Sequence, residues 1–390
     1  MVVWERSHTR TVYRPAQPVM RVLVAAHPYV GHLRIPIQLA TYLSRQGHTV
    51  AIVTGTGHED VRAVVPWDFP TFAVDGGIDR ACFAGTVPSD IARGDVGAVA
   101  SILVGGRPLA LLDDLLDVVD GFRPDVVLRD CTYFLAALAA ARAGVPEVSV
   151  ILNPEATTPA AREAFASVQR RAGLPEAGDI LSPVRNLSFL PGAFYEDEIP
   201  RVVHRRIEFD AGSIRTGPDE VGADVLATFG TVSVPLTAVF KLARALGEVG
   251  VPSVMAVGSL LDRVRERPRT VPGNVRIVGL VDQARMLASG RLFMSHAGFN
   301  STQEAITWGC PMLVTPQLAE QHDIARRCRD LGFARDLDLS TTSGSLAEAI
   351  AAALDDPDLR AAAATQQRAM LRAPSVRDIG TVLADVVTAG

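Results

Sequence analysis

The sequence predicts an α/β protein of two doubly wound domains that face each other across a cleft. Three observations carry that prediction. The chain of 390 residues is longer than one hydrophobic core usually organises. Short β-branched apolar runs alternate with amphipathic stretches in two successive series, the pattern of parallel sheets with helices on both faces. Between the two series, residues 211–222 (AGSIRTGPDEVG) turn polar and glycine-rich, as a linker would.

In the first series, residues 21–26 (RVLVAA) read as a strand buried on both faces. A loop at 27–33 follows. Next comes a helix with Pro36 near its start and Ile37, Leu39 and Leu43 on its apolar side, closed by Gly47. Residues 48–54, 125–129 and 147–151 are predicted strands, and 109–119 and 134–143 predicted helices. Residues 60–105 and 154–200 are less regular and rich in Pro, Gly and Ala. Long insertions of that kind carry specificity, so acceptor contacts are expected there. In the second series the strands are 224–228, 253–257, 275–278, 292–295 and 312–315, and the helices 235–247, 302–308 and 323–331. Helices near 345–354, 357–371 and 378–388 end the chain. The expected organisation is a loose extension at 1–19, a first domain at 20–210, the linker at 211–222, a second domain at 223–375, and a terminal helix at 376–390 that packs back on the first domain. Ligands of such sheets bind beyond the carboxyl ends of the strands, which puts a site in the interdomain cleft.

Composition narrows the function. A formal net charge of -5 lacks the basic footprint of a nucleic-acid binder. The basic residues are nearly all Arg, with Lys241 the single lysine, a bias that fits a GC-rich bacterial genome. Cys82, Cys131, Cys310 and Cys328 form no C-x-x-C pair and have no metal-ligand spacing with histidine, so they read as reduced thiols of a cytoplasmic protein. No apolar run reaches about 18 residues, so no membrane span is expected. Residues 1–19 lack the apolar centre of a signal peptide.

Two stretches carry chemistry. Residues 296–321, HAGFNSTQEAITWGCPMLVTPQLAEQ, follow an apolar strand and open a helix at about Asn300. A strand–glycine–helix junction aims free backbone N–H groups and the positive end of the helix dipole at whatever lies ahead of it, which suits a diphosphate. Gly298 allows close approach, and Asn300, Ser301 and Thr302 are capping residues. The second stretch is HPYVGHLRIP, with His32 after the first strand. Asp130 follows another parallel strand. A histidine titrates near working pH and can take the proton of an attacking hydroxyl. A carboxylate on its other ring nitrogen orients it and stabilises the imidazolium. His27 reads as a turn histidine bonded to backbone, and Cys131 as a small buried residue.

The chain from residue 20 onward resembles the family 1 glycosyltransferases, the UDP-glycosyltransferase superfamily with the B-type fold of two Rossmann-like domains. Bacterial macrolide-type members are the most similar in pattern. The resemblance rests on His-x-Gly-x-x-Ser-x-x-Glu-Ala, then Gly-x-Pro, then Pro-Gln-x-x-Glu-Gln. It implies that His296, Asn300 and Ser301 contact the diphosphate, that Glu304 binds ribose hydroxyls, and that Glu320 and Gln321 hold the donor sugar. It implies that Gly230 and Thr231 form a loop near the leaving phosphate, that His32 is the base and that Asp130 is its partner. The family's base-stacking tryptophan is replaced: GLVDQ puts Leu280, followed by Val281, at that platform.

The expected activity is an inverting, metal-independent transfer of a hexose from a nucleotide-diphosphate sugar to a hydroxyl of a small natural product or xenobiotic. No cofactor is expected beyond the nucleotide sugar. Glu304 could accept from both ribose hydroxyls, so a UDP-sugar is favoured over a dTDP-sugar, by roughly tenfold or more. Expected partners are those two small molecules only, with no nucleic acid and no membrane, and the expected state is a monomer or weak homodimer. The alternatives are a nucleotide-sugar-binding accessory protein without turnover, or a nucleotide-sugar epimerase of the same fold. A dehydrogenase is disfavoured, because the first loop lacks G-x-G-x-x-G.

Overall fold

The computed structural model of the chain describes residues 19–74, 110–171, 181–195, 197–208, 222–229, 234–267, 270–317 and 320–389. The extension at 1–18, most of the linker, Gly230 and Thr231 lie outside the described residues.

Two parallel sheets organise the molecule. The first contains β1 (Arg21–Ala25), β2 (Thr49–Thr54), β3 (Thr71–Ala73), β4 (Val126–Asp130), β5 (Glu147–Val150), β6 (Arg185–Ser188) and β7 (Val202–His204), in the order β3-β2-β1-β4-β5-β6-β7. The second contains β8 (Val225–Thr228), β9 (Ser253–Ala256), β10 (Val275–Val278), β11 (Leu292–Ser295), β12 (Met312–Val314) and β13 (Ala334–Asp336), in the order β10-β9-β8-β11-β12-β13. Each order reverses once, between β1 and β4 in the first sheet and between β8 and β11 in the second. A ligand crevice forms at such a reversal, because the flanking connections leave in opposite directions.

The helices are α1 (Val30–Arg45), α2 (His58–Val64), α3 (Leu112–Phe122), α4 (Phe134–Ala143), α5 (Pro159–Arg171), α6 (Leu236–Val249), α7 (Leu261–Arg265), α8 (Gln283–Leu287), α9 (Phe299–Trp308), α10 (Glu320–Asp330), α11 (Ser343–Asp355), α12 (Pro357–Arg372) and α13 (Ile379–Ala389). They cover both faces of each sheet. In β1, Val22 and Val24 join Leu33, Ile37 and Leu39 on one side, while Leu23 and Ala25 join Leu115 and Phe134 on the other. In the second sheet Leu226 and Phe293 share the first of these clusters, whereas Val225, Ala227, Leu292 and Met294 pack with Leu242 and Leu246. This two-sided burial is why these strands read as continuous apolar runs rather than alternating ones.

After α12 the chain returns to the first sheet. The Arg206 N–H donates to the Pro374 carbonyl at 2.8 Å, and the Val376 N–H donates to the Arg206 carbonyl at 2.9 Å. Arg205 pairs with Asp378 at 3.1 Å, and Arg377 with Glu208 at 2.5 Å. α13 then buries Ile379, Val382, Leu383 and Val386 in the apolar cluster that includes Leu33 and Leu39 of α1.

Two expectations need correction, and four short elements were not expected. The stretch at 27–33 is not all loop: α1 begins at Val30 and carries His32 in its first turn, with Pro36 well inside the helix. The missing N–H of Pro36 leaves the His32 carbonyl without its usual helical donor. The irregular stretch at 154–200 contains α5 and β6; RNLS is too short and too polar for a periodic signal. β7, β13, α7 and α8 escaped notice for the same reason, each being three to five residues long.

Candidate active site

Asp130 is the last residue of β4, directly beside β1 at the reversal point of the first sheet. Its side chain is fully buried. One oxygen, Oδ2, lies 2.5 Å from Nδ1 of His32. The other, Oδ1, accepts from the Thr132 N–H at 2.9 Å and its hydroxyl at 2.8 Å. Burial pushes the Asp130 carboxyl up, but the His32 charge and these hydrogen bonds win and hold it at about 2. Burial likewise pushes the His32 imidazole down. The Asp130 charge and hydrogen bond, with a smaller pull from Glu320, outweigh it and raise its pKa. With Nδ1 committed to Asp130, Nε2 is the ring nitrogen left for substrate, on a side chain 29% exposed. That arrangement can accept a proton from a hydroxyl in the cleft.

His27 lies behind this pair rather than in an open turn. It is fully buried, edge-on to the His32 ring at 5.3 Å and against Tyr133 at 5.0 Å, and burial lowers its pKa to about 4. Cys131 is buried and its thiol is pushed up to about 12 by burial, so it packs and does not react.

The second half of the site forms where β11 turns into α9, at the reversal point of the second sheet. Ala297 holds a left-handed φ of 62°, an uncommon backbone state for a residue with a Cβ, and its N–H donates to Ser295 Oγ at 3.2 Å. Gly298 caps α9 with no side-chain hydrogen bond, so the first-turn N–H groups stay available. A Cβ on Gly298 would meet His296 Nε2 at 2.5 Å; the glycine is what lets the imidazole fold over the helix start. His296 is buried, Nδ1 has no hydrogen-bond partner, and burial lowers its pKa to about 4. The imidazole is therefore neutral at physiological pH until an anion arrives.

The structure brings Ser301, Glu304 and Gln283 together. Gln283 Nε2 donates to Glu304 Oε2 at 2.7 Å and reaches Ser301 Oγ at 3.4 Å, while its Oε1 accepts from the Thr228 hydroxyl at 2.9 Å. Glu304 is fully buried and its carboxyl is raised, with burial the largest cause. The first domain reaches this group as well. Arg34 of α1 is ion-paired with Glu304 Oε1, and Asn300 Nδ2 donates to the Gly31 carbonyl at 3.0 Å. Glu320 opens α10 close enough to His32 for their charges to interact, again with burial raising its carboxyl. Gln321 is buried, with Oε1 accepting from the Gln317 N–H at 2.9 Å. Val281 is buried and Leu280 is 48% exposed, an aliphatic shelf after β10. Among the described residues, no group of three or more His, Cys, Asp or Glu is placed to hold a metal ion.

Three residues near the site were not singled out from sequence. Gln283 and Arg34 grip Glu304, and only their tertiary placement reveals it. Glu155, in a short turn after β5, hydrogen-bonds Asp323 of α10 across the cleft. Burial, then the Asp323 and Glu320 charges, push its carboxyl up to about 8. It falls within the stretch expected to hold acceptor contacts.

Comparison with known proteins bears on the fold and the enzyme class. Residues 243–386 match the family described as erythromycin biosynthesis protein CIII-like, C-terminal domain. The oleandomycin glycosyltransferase of Streptomyces antibioticus is 26% identical over 86% of this chain and 83% of its own length. The 3-alpha-mycarosylerythronolide B desosaminyl transferase of Saccharopolyspora erythraea is 25% identical over 92% of this chain and 96% of its own. Among solved structures, the calicheamicin glycosyltransferase CalG4 superposes with a TM-score of 0.74 at 20% identity, covering 95% of this chain and 98% of that one. The glycosyltransferase VinC in complex with dTDP gives 0.72 at 19% identity, covering 95% and 100%. Two reversal-point sites on facing parallel sheets, a C-terminal match to the erythromycin-CIII-like domain and relatives along nearly the whole chain make this protein a glycosyltransferase on the two-domain B-type fold, similar to those of macrolide and natural-product biosynthesis.

Proposed function

We propose that the protein transfers a hexose from a nucleoside-diphosphate sugar to a hydroxyl of a small natural product or xenobiotic, with inversion at the anomeric carbon and without a metal ion. The observation that carries this reading is His32 held on Asp130 through Nδ1, which leaves Nε2 for substrate, with Glu320 of the other domain near enough for its charge to act on the ring. In the proposed step the acceptor hydroxyl loses its proton to His32 Nε2 as its oxygen attacks the anomeric carbon. The bond from that carbon to the diphosphate oxygen breaks on the opposite face, and the nucleoside diphosphate leaves. Asp130 keeps the proton on Nδ1 and stabilises the imidazolium. The α9 N-terminus and His296 receive the charge of the leaving group. Glu320 and Gln321 are assigned to the donor sugar, and Gly230 and Thr231 to the phosphate side. Leu280 and Val281 are assigned to the base, and Glu304 to the ribose, which favours UDP over dTDP to the extent that Glu304 reads the 2′-hydroxyl. The three described cysteines are buried free thiols, which suits a reducing compartment; we place the protein in the cytoplasm, as a monomer or weak homodimer.

A screen of UDP- and dTDP-hexoses against phenolic and alcoholic acceptors, read by mass spectrometry with and without EDTA, tests the reading. The expected outcome is an acceptor gaining one hexose, with β-configured product from an α-configured donor, at a rate EDTA does not change. Retention of configuration would remove the single-displacement step. Loss of turnover in EDTA that Mg²⁺ restores would remove the metal-free one.

A further inference from the structure

The carboxylate assigned to the ribose is not free to receive it. Glu304 has a fully buried side chain, and both of its oxygens have a neighbour: Oε2 accepts a hydrogen bond from Gln283 Nε2 at 2.7 Å, and Oε1, which accepts no hydrogen bond, lies in ion-pair contact with the Arg34 guanidinium. Gln283 comes from the same domain and is itself anchored to Thr228. Arg34 comes from the other one. It sits on α1 one helical turn after Gly31, whose carbonyl is held by Asn300, and Asn300 lies one turn before Glu304 on α9. Two adjacent contacts therefore close the first turns of α1 and α9 against each other. The Arg34 side chain is only 13% exposed, and its Nη2 is buried without a hydrogen-bond partner. The arginine thus brings a positive charge and an unused donor to the position assigned to the ribose.

We propose that Arg34 is a specificity-determining residue of the donor site: by pairing with Glu304 across the cleft, it largely cancels the discrimination that Glu304 would otherwise exert between ribose and 2′-deoxyribose. The inference rests on the assignment of Glu304 to the ribose. A buried carboxylate with no cation beside it depends on ligand hydroxyls, and a ligand lacking one leaves charge unmatched. A carboxylate already paired with a guanidinium keeps its compensation whichever sugar arrives. With Oε2 accepting from Gln283 and the guanidinium against Oε1, it also has less room for a second hydroxyl. The ribose 2′-hydroxyl then gains little, because it competes with Arg34 for the same oxygen.

UDP and 2′-deoxy-UDP differ only in that hydroxyl, so the ratio of their affinities isolates the effect. Calorimetric titration should give a ratio below about threefold in the wild type. In Arg34→Met, which keeps length and removes charge, the ratio should rise to about tenfold or more, the value of one charge-assisted hydrogen bond. Arg34→Lys should stay close to the wild type. In a Glu304→Gln background, Arg34→Met should leave the ratio unchanged within about twofold, since the coupling runs through the carboxylate. A merely structural Arg34 would weaken both nucleotides alike and leave their ratio fixed. A ratio in Arg34→Met within about twofold of the wild type, or a wild-type ratio already at tenfold, overturns the inference while the donor assignment stands. If the wild type binds neither nucleotide, the donor assignment falls and takes the inference with it. Should Arg34→Met fail to fold, Arg34→Gln reads the same quantity.

Discussion

His32 and Asp130 each look unfavourable alone. A buried carboxylate and a largely buried imidazole both resist charging, yet side by side each favours the other's charged form. The consequence for activity has a definite sign. The base must be neutral to accept a proton, and its pKa is raised, so the acid limb of kcat/KM should have its midpoint above 6.5. Asp130→Asn removes the raising charge and leaves burial, so the limb should move below 6.5 while turnover falls. The amide can also donate to Nδ1 and so select the wrong tautomer. His32→Ala should cost roughly 10²–10⁴ in turnover with donor affinity nearly unchanged. A midpoint that does not move in Asp130→Asn would separate the two residues.

His296 titrates in the opposite sense. Free, it stays neutral down to about 4 because burial disfavours the cation. A bound diphosphate would supply the missing charge and raise that pKa, so the complex holds more protons than the free protein above about pH 4. Affinity attributable to His296 must then grow as pH falls toward that value. The measurement is the affinity ratio of wild type to His296→Ala for UDP, expected to increase from pH 8 to pH 5.5. A flat ratio would mean that the ring hydrogen-bonds without taking up a proton. Both histidines were legible in the sequence as residues following a strand in a recognisable pattern. Their protonation states were not, because those depend on depth of burial and on which residues of distant segments arrive nearby.

At the scale of elements, the junction of β11 with α9 concentrates the donor chemistry, and Gly298 is its tightest point. Its φ of -66° and ψ of 153° suit any residue, so the glycine serves space rather than backbone freedom. Gly298→Ala should fold, with His296 displaced from its place over the helix start by a contact of 2.5 Å. Affinity for a nucleoside diphosphate should then fall about tenfold, with unfolding free energy changed by less than about 1 kcal/mol. An unchanged affinity, read by calorimetry beside urea unfolding, would mean that the ring position is irrelevant. The β11–α9 unit was readable in sequence because its strand is apolar up to Ser295 and Gly298 follows within three residues. The short elements were not. β6, β7 and β13 are stabilised by pairing with neighbours already in place, so their own residues carry little pattern.

Across the whole molecule, the cleft is bridged by contacts of unlike kinds. Arg34 with Glu304 is an ion pair, Asn300 with Gly31 a neutral hydrogen bond, and Glu155 with Asp323 a contact of two carboxyls. The groups facing Glu155 are Asp323, Glu320 and, with opposite sign, Arg326. Burial and the two acids raise its pKa to about 8. Between its ordinary value of 4.5 and about 8 the folded protein therefore binds more protons than the unfolded chain, so stability falls as pH rises across that window. Glu155→Gln removes the titrating group, and its melting temperature should decline less than that of the wild type from pH 6 to pH 9. Parallel declines would show that protonation of Glu155 does not hold the cleft.

The division between sequence and tertiary structure follows from the range of the interactions. Periodicity and strand-end position are local, so residues 20–54, 125–151 and 253–315 by themselves determined two parallel sheets, the ends at which a site must lie, and the histidines, Asp130 and glycine within it. The pairing of His32 with Asp130 spans 98 positions, and that of Arg34 with Glu304 spans the whole cleft. Nothing in a local pattern records that an arginine in the first domain neutralises a glutamate in the second. Only the packing of α1 against α9 decided it, because a charge expelled from water must find its partner wherever the fold places one.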